Sequence, residues 1–274
     1  MRNVPRGVIR LVRPGTTLSG VLATILGGYV AGANDWWSIV LAALAVLCIQ
    51  GAGNTVNDVY DRNIDLVNKP WRPIPHGDLS YRQATILAVA LFCIGNGISI
   101  LLDHGLFSIS IIVTLTLALY ATSLKCTVFV SNLTVAGISA LVPLFGATAG
   151  GNWKAGIPLA IVVFFGILAR ELVKDLADID GDTQGNCQKT AVVLGPKRTR
   201  IAFEILAVCT VGAILCPTVS YGFDYALLAL IPVTVTIFSM IRVARTTCTK
   251  TLEKTSGMMK MAFFVWFLIV LVSA

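Results

Sequence analysis

Two short acidic runs interrupt an otherwise apolar chain of 274 residues. The first is Asn54–Asp65, NTVNDVYDRNID, and the second is Lys174–Asp182, KDLADIDGD. Together they hold seven of the 14 Asp and Glu residues, although charged residues make up only 13% of the chain. Carboxylates are costly in so apolar a sequence and tend to mark functional positions. We therefore expect the chemistry of this protein at these two runs.

The first run has the spacing of a metal-binding helix face. Asn57, Asp61 and Asp65 lie at positions i, i+4 and i+8, so a helix stacks them on one side. Asp58 lies on the adjoining ridge. Carboxylates this close repel one another unless a cation lies among them, and oxygen ligands select Mg²⁺ or a similar hard ion. The ligands predicted for one Mg²⁺ are Asn57, Asp58, Asp61 and Asp65.

The segment after the first run, KPWRPIPHG at Lys69–Gly77, adds positive charge. Its three prolines and one glycine prevent the helix from continuing. Lys69 and Arg72 are therefore presented on a turn close to the carboxylates. Mg²⁺ held by carboxylates, with Lys and Arg beside it, is a combination that binds a polyanion such as a diphosphate.

The second run repeats this arrangement. Asp175, Asp178 and Asp182 lie at i, i+3 and i+7, again on one helix face, and Lys174 precedes the first of them. Two carboxylate sets around one cavity would hold two or more Mg²⁺ ions on a single diphosphate, whose departure leaves a carbocation. An allylic cation inside an apolar bundle that excludes water fits this chemistry.

The elements that must position these runs are membrane-spanning helices. Hydrophobic residues make up 56% of the chain and its mean hydropathy is +0.81, outside the range of soluble globular domains. Apolar stretches suited to crossing about 30 Å of hydrocarbon recur along the chain, and nine segments account for them better than eight or ten. The sequence predicts an all-α integral membrane protein, a bundle of about nine helices around a central cavity, formed as one domain over residues 1–274. The predicted segments are Thr16–Gly32, Trp37–Thr55, Ala84–Leu102, Phe107–Leu124, Leu133–Ala149, Ile157–Val173, Ile201–Pro217, Tyr225–Ile241 and Met261–Ala274.

The distribution of basic residues predicts the topology. The net charge of +7 does not indicate nucleic-acid binding, because 20 of the 21 Lys and Arg residues fall on alternate loops and only Lys154 lies opposite. By the positive-inside rule, the basic side is cytoplasmic. We expect a multi-pass protein of the cell membrane, with its N-terminus and both acidic runs in the cytoplasm and its C-terminus outside.

The seven cysteines show no sign of a shared role. They form no C-x-x-C pair, and Cys93, Cys209 and Cys216 lie within apolar segments. Such cysteines behave as small buried hydrophobic residues. We expect neither a disulfide framework nor a structural metal site among them.

Both acidic runs resemble the paired motifs of the UbiA superfamily of intramembrane prenyltransferases. The first has the form N-D-x-x-D-x-x-x-D in Asn57–Asp65, and the second the form D-x-x-D-x-x-x-D in Asp175–Asp182. A third element, Tyr120-Ala-Thr-Ser-Leu-Lys125, is similar to the family's Tyr/Lys element. The resemblance implies Mg²⁺-dependent transfer of a polyprenyl group from its diphosphate in a central cavity open to lipid. It also implies that Lys125 contacts the diphosphate and that Tyr120 lines the pocket near the reacting carbon.

Within the superfamily, the motifs and the residues after them resemble most the archaeal ether-lipid branch, the digeranylgeranylglyceryl phosphate synthases. That resemblance implies a geranylgeranyl diphosphate donor and geranylgeranylglyceryl phosphate as a lipid acceptor. Arg13 and Arg170 are candidates to hold the acceptor phosphate. The residues predicted to act in catalysis are Asp61, Asp178, Lys125, Tyr120 and Arg72. Those predicted to bind the diphosphate are Lys69, Arg72, Lys125, Lys174 and Asn54.

Three other functions stay open at this point. An aromatic prenyltransferase of quinone biosynthesis shares the donor site and differs in its acceptor. A UbiA-type terpene cyclase captures the cation with an alkene of the same prenyl chain. A transporter is the third, although transport favours ionisable residues near mid-membrane, whereas here they gather at one face. Neither the donor chain length nor the oligomeric state follows from the sequence.

Overall fold

The computed structural model describes residues 3–274, and the side chains of all of these except residues 64, 67 and 68. Arg2, one of the basic residues counted above, lies outside the described residues. The described residues form α-helices, one π-helical turn and one 3₁₀ turn, and no strands, which confirms the all-α prediction. Their packing divides the chain into two compact units, Met1–Ser123 with Phe145–Trp153, and Leu124–Leu144 with Lys154–Ala274.

The first unit is built around one long helix, α3. Its helices are α1 (Val4–Val12), α2 (Pro14–Val30), α3 (Trp36–Tyr60), α4 (Arg62–Asn68), α5 (Pro73–His76), α6 (Tyr81–Leu102) and α7 (His104–Leu119). Helix α3 packs against α1, α2, α6 and α7. Small buried residues such as Ala42, Ala45 and Ala52 allow these helices to approach closely. Gly146 also belongs to this unit, and a Cβ there would collide with the carbonyl oxygen of Thr24 in α2, so only glycine fits.

The second unit places α9 at its centre. Its helices are α8 (Val130–Ala149, whose last turns belong to the first unit), α9 (Ile157–Ala177), α10 (Ile179–Gln184), α11 (Thr190–Leu215), α12 (Thr218–Arg245) and α13 (Thr249–Ser273). Helix α9 packs against α11 and α13, and α12 packs against the same two helices. The buried side chains of Leu172, Val173, Phe203, Val243 and Leu252 join these helices in one apolar core.

Local signals fix where the helices after the first acidic run begin and end. Pro73 starts the single turn of α5, and Gly77 ends it with φ 84°, a backbone conformation that glycine adopts without strain. Helix α6 begins with a capping box, in which Ser80 Oγ accepts from Gln83 N (3.2 Å) and Gln83 Oε1 accepts from Ser80 N (2.9 Å). The predicted break in the helix at Lys69–Gly77 is therefore present, with one helical turn inside it.

Nine long helices among the described residues correspond to the nine predicted segments: α2, α3, α6, α7, α8, α9, α11, α12 and α13. Seven of them have the length and apolar composition to cross a membrane. The other two are α2, which has 17 residues, and α11, whose first half carries Lys197, Arg198 and Arg200. A chain with this many apolar helices is a multi-pass membrane protein.

Three helices begin well before their predicted segments. The additional turns of α11 and α12 contain kinks at Gly195 and Gly222, where φ is positive. Helix α13 begins at Thr249 instead of Met261, because its first half is amphipathic and not uniformly apolar. Its buried positions there are Leu252, Thr255, Ser256 and Met259, which follow the i, i+3, i+4, i+7 spacing of one helix face.

Candidate active site

The first acidic run lies where α3 meets the short helix α4. Asp58 is buried in the last turn of α3, Asp61 lies at the junction, and Asp65 is buried in α4. Two backbone bonds, Asp61 N to Asn57 O (2.9 Å) and Asp65 N to Asp61 O (2.8 Å), continue the helical spacing across the junction. The one-sided arrangement predicted for these residues is therefore present in the structure.

Two guanidinium groups neutralise the carboxylates of this run. Arg72 Nη1 lies 2.5 Å from Asp65 Oδ2, 3.2 Å from Asp58 Oδ1 and 3.8 Å from Asp61 Oδ2. Arg13, between α1 and α2, forms a second ion pair with Asp58. Its φ of 54° is uncommon for a residue other than glycine. Three carboxylates of the run thus share the guanidinium groups of Arg13 and Arg72.

The donor set of the first run suits a hard cation. Burial raises the pKa of the Asp65 carboxyl above its usual value, and the ion pair with Arg72 opposes that rise. The side-chain oxygen of Asn57 is buried and accepts no hydrogen bond from the described residues. A buried oxygen without a donor, beside carboxylates, fits Mg²⁺. Within the described residues no three His, Cys, Asp or Glu side chains already converge as a metal-binding group, and the Arg72 guanidinium lies among the carboxylates of this run.

The second run repeats this construction at the end of α9. Asp175 is buried in the last turn of α9, Asp178 lies at the junction, and Asp182 lies in the short helix α10. Lys189 Nζ lies 3.0 Å from Asp182 Oδ2, and the charge of Lys125 also favours the Asp182 carboxylate. Burial raises the pKa of Asp182, and Lys189 opposes that rise. Burial alone would lower the pKa of Lys189, but its ion pair with Asp182 raises it.

Sequence reasoning missed two residues of the second run's surroundings. Asn132 Nδ2 donates to Asp175 Oδ2 over 2.9 Å, and both side chains are buried. Lys189 was counted only as one of many cytoplasmic cations. For Asn132 the only signal was a polar residue at the start of an apolar segment, and for Lys189 it was a position shortly after the run.

The comparisons with known proteins identify the family of this chain. A model of the UbiA prenyltransferase family matches residues 21–268. The chain belongs to this family. It is 36% identical, over 246 residues and 86% of both chains, to the digeranylgeranylglyceryl phosphate synthase of Saccharolobus solfataricus. The predicted resemblance is thereby confirmed, and the chain is a prenyltransferase.

Solved structures of UbiA-family proteins have the same fold. A solved digeranylgeranylglyceryl phosphate synthase matches with a TM-score of 0.82 and 25% identity, over 98% of both chains. A UbiA homologue from Archaeoglobus fulgidus, solved with DMAPP and Mg²⁺, matches with a TM-score of 0.69 and 17% identity, over 97% of this chain and 99% of that one. The predicted UbiA-like helical fold is confirmed.

Besides Arg13 and Arg72, three more residues of this UbiA-family chain that were predicted to bind ligands contact protein groups. Asn54 Nδ2 donates to Val12 O over 3.0 Å. Lys174 Nζ lies 2.8 Å from a Glu171 carboxylate oxygen, and Arg170 Nε donates to a backbone carbonyl of α13 over 3.1 Å. Their ligand roles stay predictions, and each role requires these contacts to open or to be shared.

The Tyr/Lys element of the family lies at the end of α7. Tyr120 starts the π-helical turn Tyr120–Leu124, and Lys125 follows it directly. Turns of this kind recur at functional sites, because the extra residue redirects the side chains around it. Lys69 lies exposed at the end of α4.

The expectation of no disulfide was wrong. Cys126 and Cys187 form a disulfide, with Cα atoms 4.8 Å apart and 61 positions between them in sequence. Cys126 follows Lys125, and Cys187 lies in the loop after α10. Neither residue is in an apolar span, so the argument from buried apolar cysteines did not apply to them. The other five cysteines are free.

Proposed function

We propose that this chain transfers a geranylgeranyl group from geranylgeranyl diphosphate to the free hydroxyl of geranylgeranylglyceryl phosphate, with Mg²⁺ as cofactor. The bond between C1 of the donor and the diphosphate oxygen breaks, and its electron pair leaves with the pyrophosphate. The acceptor oxygen bonds to C1, and its proton goes to the departing pyrophosphate or to a carboxylate of the acidic runs. The product is a glyceryl phosphate with two geranylgeranyl ethers.

The observation that carries this proposal is the shared construction of the two acidic runs, in a chain whose relatives are named for this reaction. Asp58 and Asp175 each lie at the end of a long helix, Asp61 and Asp178 each lie at a junction, and Asp65 and Asp182 each lie in the short helix that follows. Asp65 and Asp182 are each paired with a cation, Asp65 with Arg72 and Asp182 with Lys189. The name of the Saccharolobus relative supports the acceptor, and the Archaeoglobus structure supports Mg²⁺ and an allylic diphosphate.

The acidic runs are the proposed metal ligands, and two or more ions are expected. The buried Asn57 oxygen, which accepts no hydrogen bond from the described residues, and the three carboxylates that approach Arg72 support this assignment. When bound, Mg²⁺ acts as a Lewis acid that neutralises the charge developing on the leaving diphosphate. The proposed ligands are Asn57, Asp58, Asp61, Asp65, Asp175, Asp178 and Asp182.

The cations beside the runs are proposed to hold the diphosphate oxygens. Arg72 offers a planar fork that binds two oxygens at once, whereas Lys125 and Lys69 act as point charges. A bundle of apolar helices keeps water from the allylic cation, and Tyr120 is proposed to line the pocket beside C1. These groups orient the donor and stabilise its departure, which is where most of the rate enhancement is needed.

The acceptor phosphate requires cations of its own, and Arg13 and Arg170 are proposed for this role. Arg13 is paired with Asp58, and Arg170 Nη1 lies 3.4 Å from a Glu171 oxygen. In this role each guanidinium would be shared between the phosphate and that carboxylate. We also propose that residues 1–274 act as one domain in the cell membrane. The N-terminus and both acidic runs would face the cytoplasm and the C-terminus the outside, because 20 of the 21 Lys and Arg residues lie on that side of the predicted topology.

A competition assay tests the proposed acceptor. Purified full-length protein receives geranylgeranyl diphosphate, Mg²⁺ and equal amounts of geranylgeranylglyceryl phosphate and 4-hydroxybenzoate. We expect the doubly prenylated glyceryl phosphate as the main product, with no product when Mg²⁺ is chelated. Prenylated hydroxybenzoate as the main product would establish the aromatic prenyltransferase instead, and a cyclic hydrocarbon formed without acceptor would establish the terpene cyclase.

A further inference from the structure

Asn132 joins three helices of the second unit through one amide group. It lies in the first turn of α8 and is only 2% exposed. Its Nδ2 donates to Asp175 Oδ2 at the end of α9 (2.9 Å), and its Oδ1 accepts from Thr190 Oγ1 at the start of α11 (2.5 Å). Thr190 Oγ1 in turn accepts from the backbone N–H of Phe129 (3.0 Å).

The partners fix the direction of each hydrogen bond from Phe129 through Thr190 and Asn132 to Asp175. The Phe129 N–H can only donate, so Thr190 Oγ1 accepts there and has its proton free for Asn132 Oδ1. The amide of Asn132 is then oriented with its NH₂ toward Asp175. The series of hydrogen bonds therefore ends with the Asn132 NH₂ donating to Asp175 Oδ2, which fixes the orientation of that carboxylate.

The backbone is shaped to supply the first donor. Phe129 has φ 58°, a left-handed conformation that a bulky residue other than glycine rarely adopts. This conformation immediately precedes α8 and presents the Phe129 N–H to Thr190. Strained backbone of this kind persists where the surrounding structure requires it, often beside a functional site.

We infer that Asn132 is a positioning residue for Asp175: its bond to Oδ2 holds that carboxylate in one orientation as a proposed ligand of Mg²⁺. The inference rests on the proposed function, because it assumes that Asp175 is a metal ligand. Partners that orient a ligating carboxylate typically contribute 10- to 100-fold to metal affinity. Both polar atoms of the Asn132 side chain are bonded to Asp175 and Thr190, so its loss should act on metal affinity before it acts on turnover at saturating metal.

Direct metal binding tests this inference apart from catalysis. Mn²⁺ binding to full-length protein in detergent, with inorganic pyrophosphate present, is followed by electron paramagnetic resonance. Asn132→Leu removes both bonds of the amide, and Asn132→Asp keeps an acceptor for Thr190 but removes the donor to Asp175. Thr190→Val removes the anchor, whereas Thr190→Ser keeps the hydroxyl. We expect 10- to 100-fold weaker Mn²⁺ binding in the first three variants and recovery of most of the affinity in Thr190→Ser relative to Thr190→Val.

The matched control is Asn96→Leu. Asn96 is also a buried helix-joining amide, which donates to Thr114 Oγ1 (3.0 Å) and accepts from Ser110 Oγ (2.8 Å), and none of its hydrogen bonds within the described part of the chain involves a carboxylate. It should lose thermal stability without losing Mn²⁺ affinity. Wild-type Mn²⁺ affinity in folded Asn132→Leu or Asn132→Asp overturns the inference alone. Absence of Mn²⁺ binding to the wild-type protein with pyrophosphate contradicts the proposed function, and the inference with it.

Discussion

Arg72 Nη1 lies 2.5 Å from Asp65 Oδ2, and the same nitrogen is within ion-pair distance of Asp58 and Asp61. One guanidinium therefore lies among the three carboxylates proposed as metal ligands. Arg72→Ala removes this competing cation, so Mn²⁺ should bind about tenfold more tightly when no diphosphate is present. The size of the effect follows from the pKa of a carboxylate, which a neighbouring charge commonly shifts by about one unit or more. Turnover should nevertheless fall about 100-fold or more, because a cation on the leaving diphosphate is lost.

The control for this prediction is Arg82→Ala. Arg82 is exposed at the start of α6. Its removal should change neither Mn²⁺ affinity nor turnover. Weaker metal binding in Arg72→Ala without pyrophosphate would show that Arg72 supports the metal site and does not compete with the metal for the carboxylates.

The junction aspartates should be indispensable for turnover. Asp178→Asn and Asp61→Asn remove one negative charge each from a proposed metal site while keeping the side-chain shape. We expect kcat/KM to fall about a thousandfold, equivalent to the several kcal/mol that a catalytic metal contributes. Steady-state kinetics with geranylgeranyl diphosphate measures this, with thermal unfolding to show that the variants are folded.

Asp180→Asn is the matched substitution for the second run. Asp180 lies exposed in α10, two residues from Asp178, and off the face formed by Asp175, Asp178 and Asp182. The substitution removes the same charge at nearly the same place, but from a side chain off the proposed ligand face. Near-normal kcat/KM is therefore expected. Equal losses in Asp178→Asn and Asp180→Asn would mean that net charge of the loop, and not ligation by one face, determines activity.

What the sequence predicted well depends on local rules. The positions of Asp58, Asp61 and Asp65 follow from helical periodicity, and the break at Lys69–Gly77 follows from proline and glycine geometry. The apolar segments follow from the length that a membrane requires. Each of these signals lies within about 25 residues of chain, a single helix or loop, so one sequence is enough to detect it.

What the sequence did not predict depends on contacts between distant residues. The bond from Asn132 to Asp175 joins residues 43 positions apart, and the disulfide joins residues 61 positions apart. Contacts between residues so far apart leave no periodic pattern in the sequence. The early start of α13 was missed for another reason: a hydropathy window averages Lys250 and Lys254 with the buried Leu252, and so hides an amphipathic face.

The disulfide between Cys126 and Cys187 should stabilise the second unit. In the chain-entropy model, a bridge over 61 residues contributes about 4 kcal/mol against a fully unfolded chain, and less where the unfolded state keeps its helices. Cys126→Ser and reduction of the wild-type protein should lower the thermal midpoint by the same amount, and reduction should not lower the variant further. Thermal unfolding with and without reductant measures this.

Two free cysteines provide the control. Cys93→Ser and Cys248→Ser alter exposed thiols outside the bridge, so each should keep the response of the wild type to reductant. A wild-type midpoint that does not change on reduction would contradict the stabilising role of the bridge.

A buried polar pair should stabilise the second unit far from the acidic run. Tyr225 Oη donates to Ile214 O (2.6 Å) and accepts from Trp266 Nε1 (3.0 Å), and both rings are buried. Tyr225→Phe leaves a buried carbonyl and a buried indole N–H without partners, at a cost of about 1–3 kcal/mol. Tyr221→Phe, on the neighbouring ring outside this network, should cost less. Equal free energies of unfolding for the two variants would contradict the role assigned to the Tyr225 hydroxyl.

The central claim is alkyl transfer from a diphosphate to the acceptor hydroxyl, and one labelling experiment tests it most directly. Geranylgeranyl diphosphate is labelled with ¹⁸O at the oxygen that joins C1 to the diphosphate. The protein is incubated with this donor, Mg²⁺ and unlabelled geranylgeranylglyceryl phosphate. Mass spectrometry then locates the label. We predict one labelled pyrophosphate for each unlabelled digeranylgeranylglyceryl phosphate formed. Label in the lipid product, or pyrophosphate released without the second ether, would contradict the account.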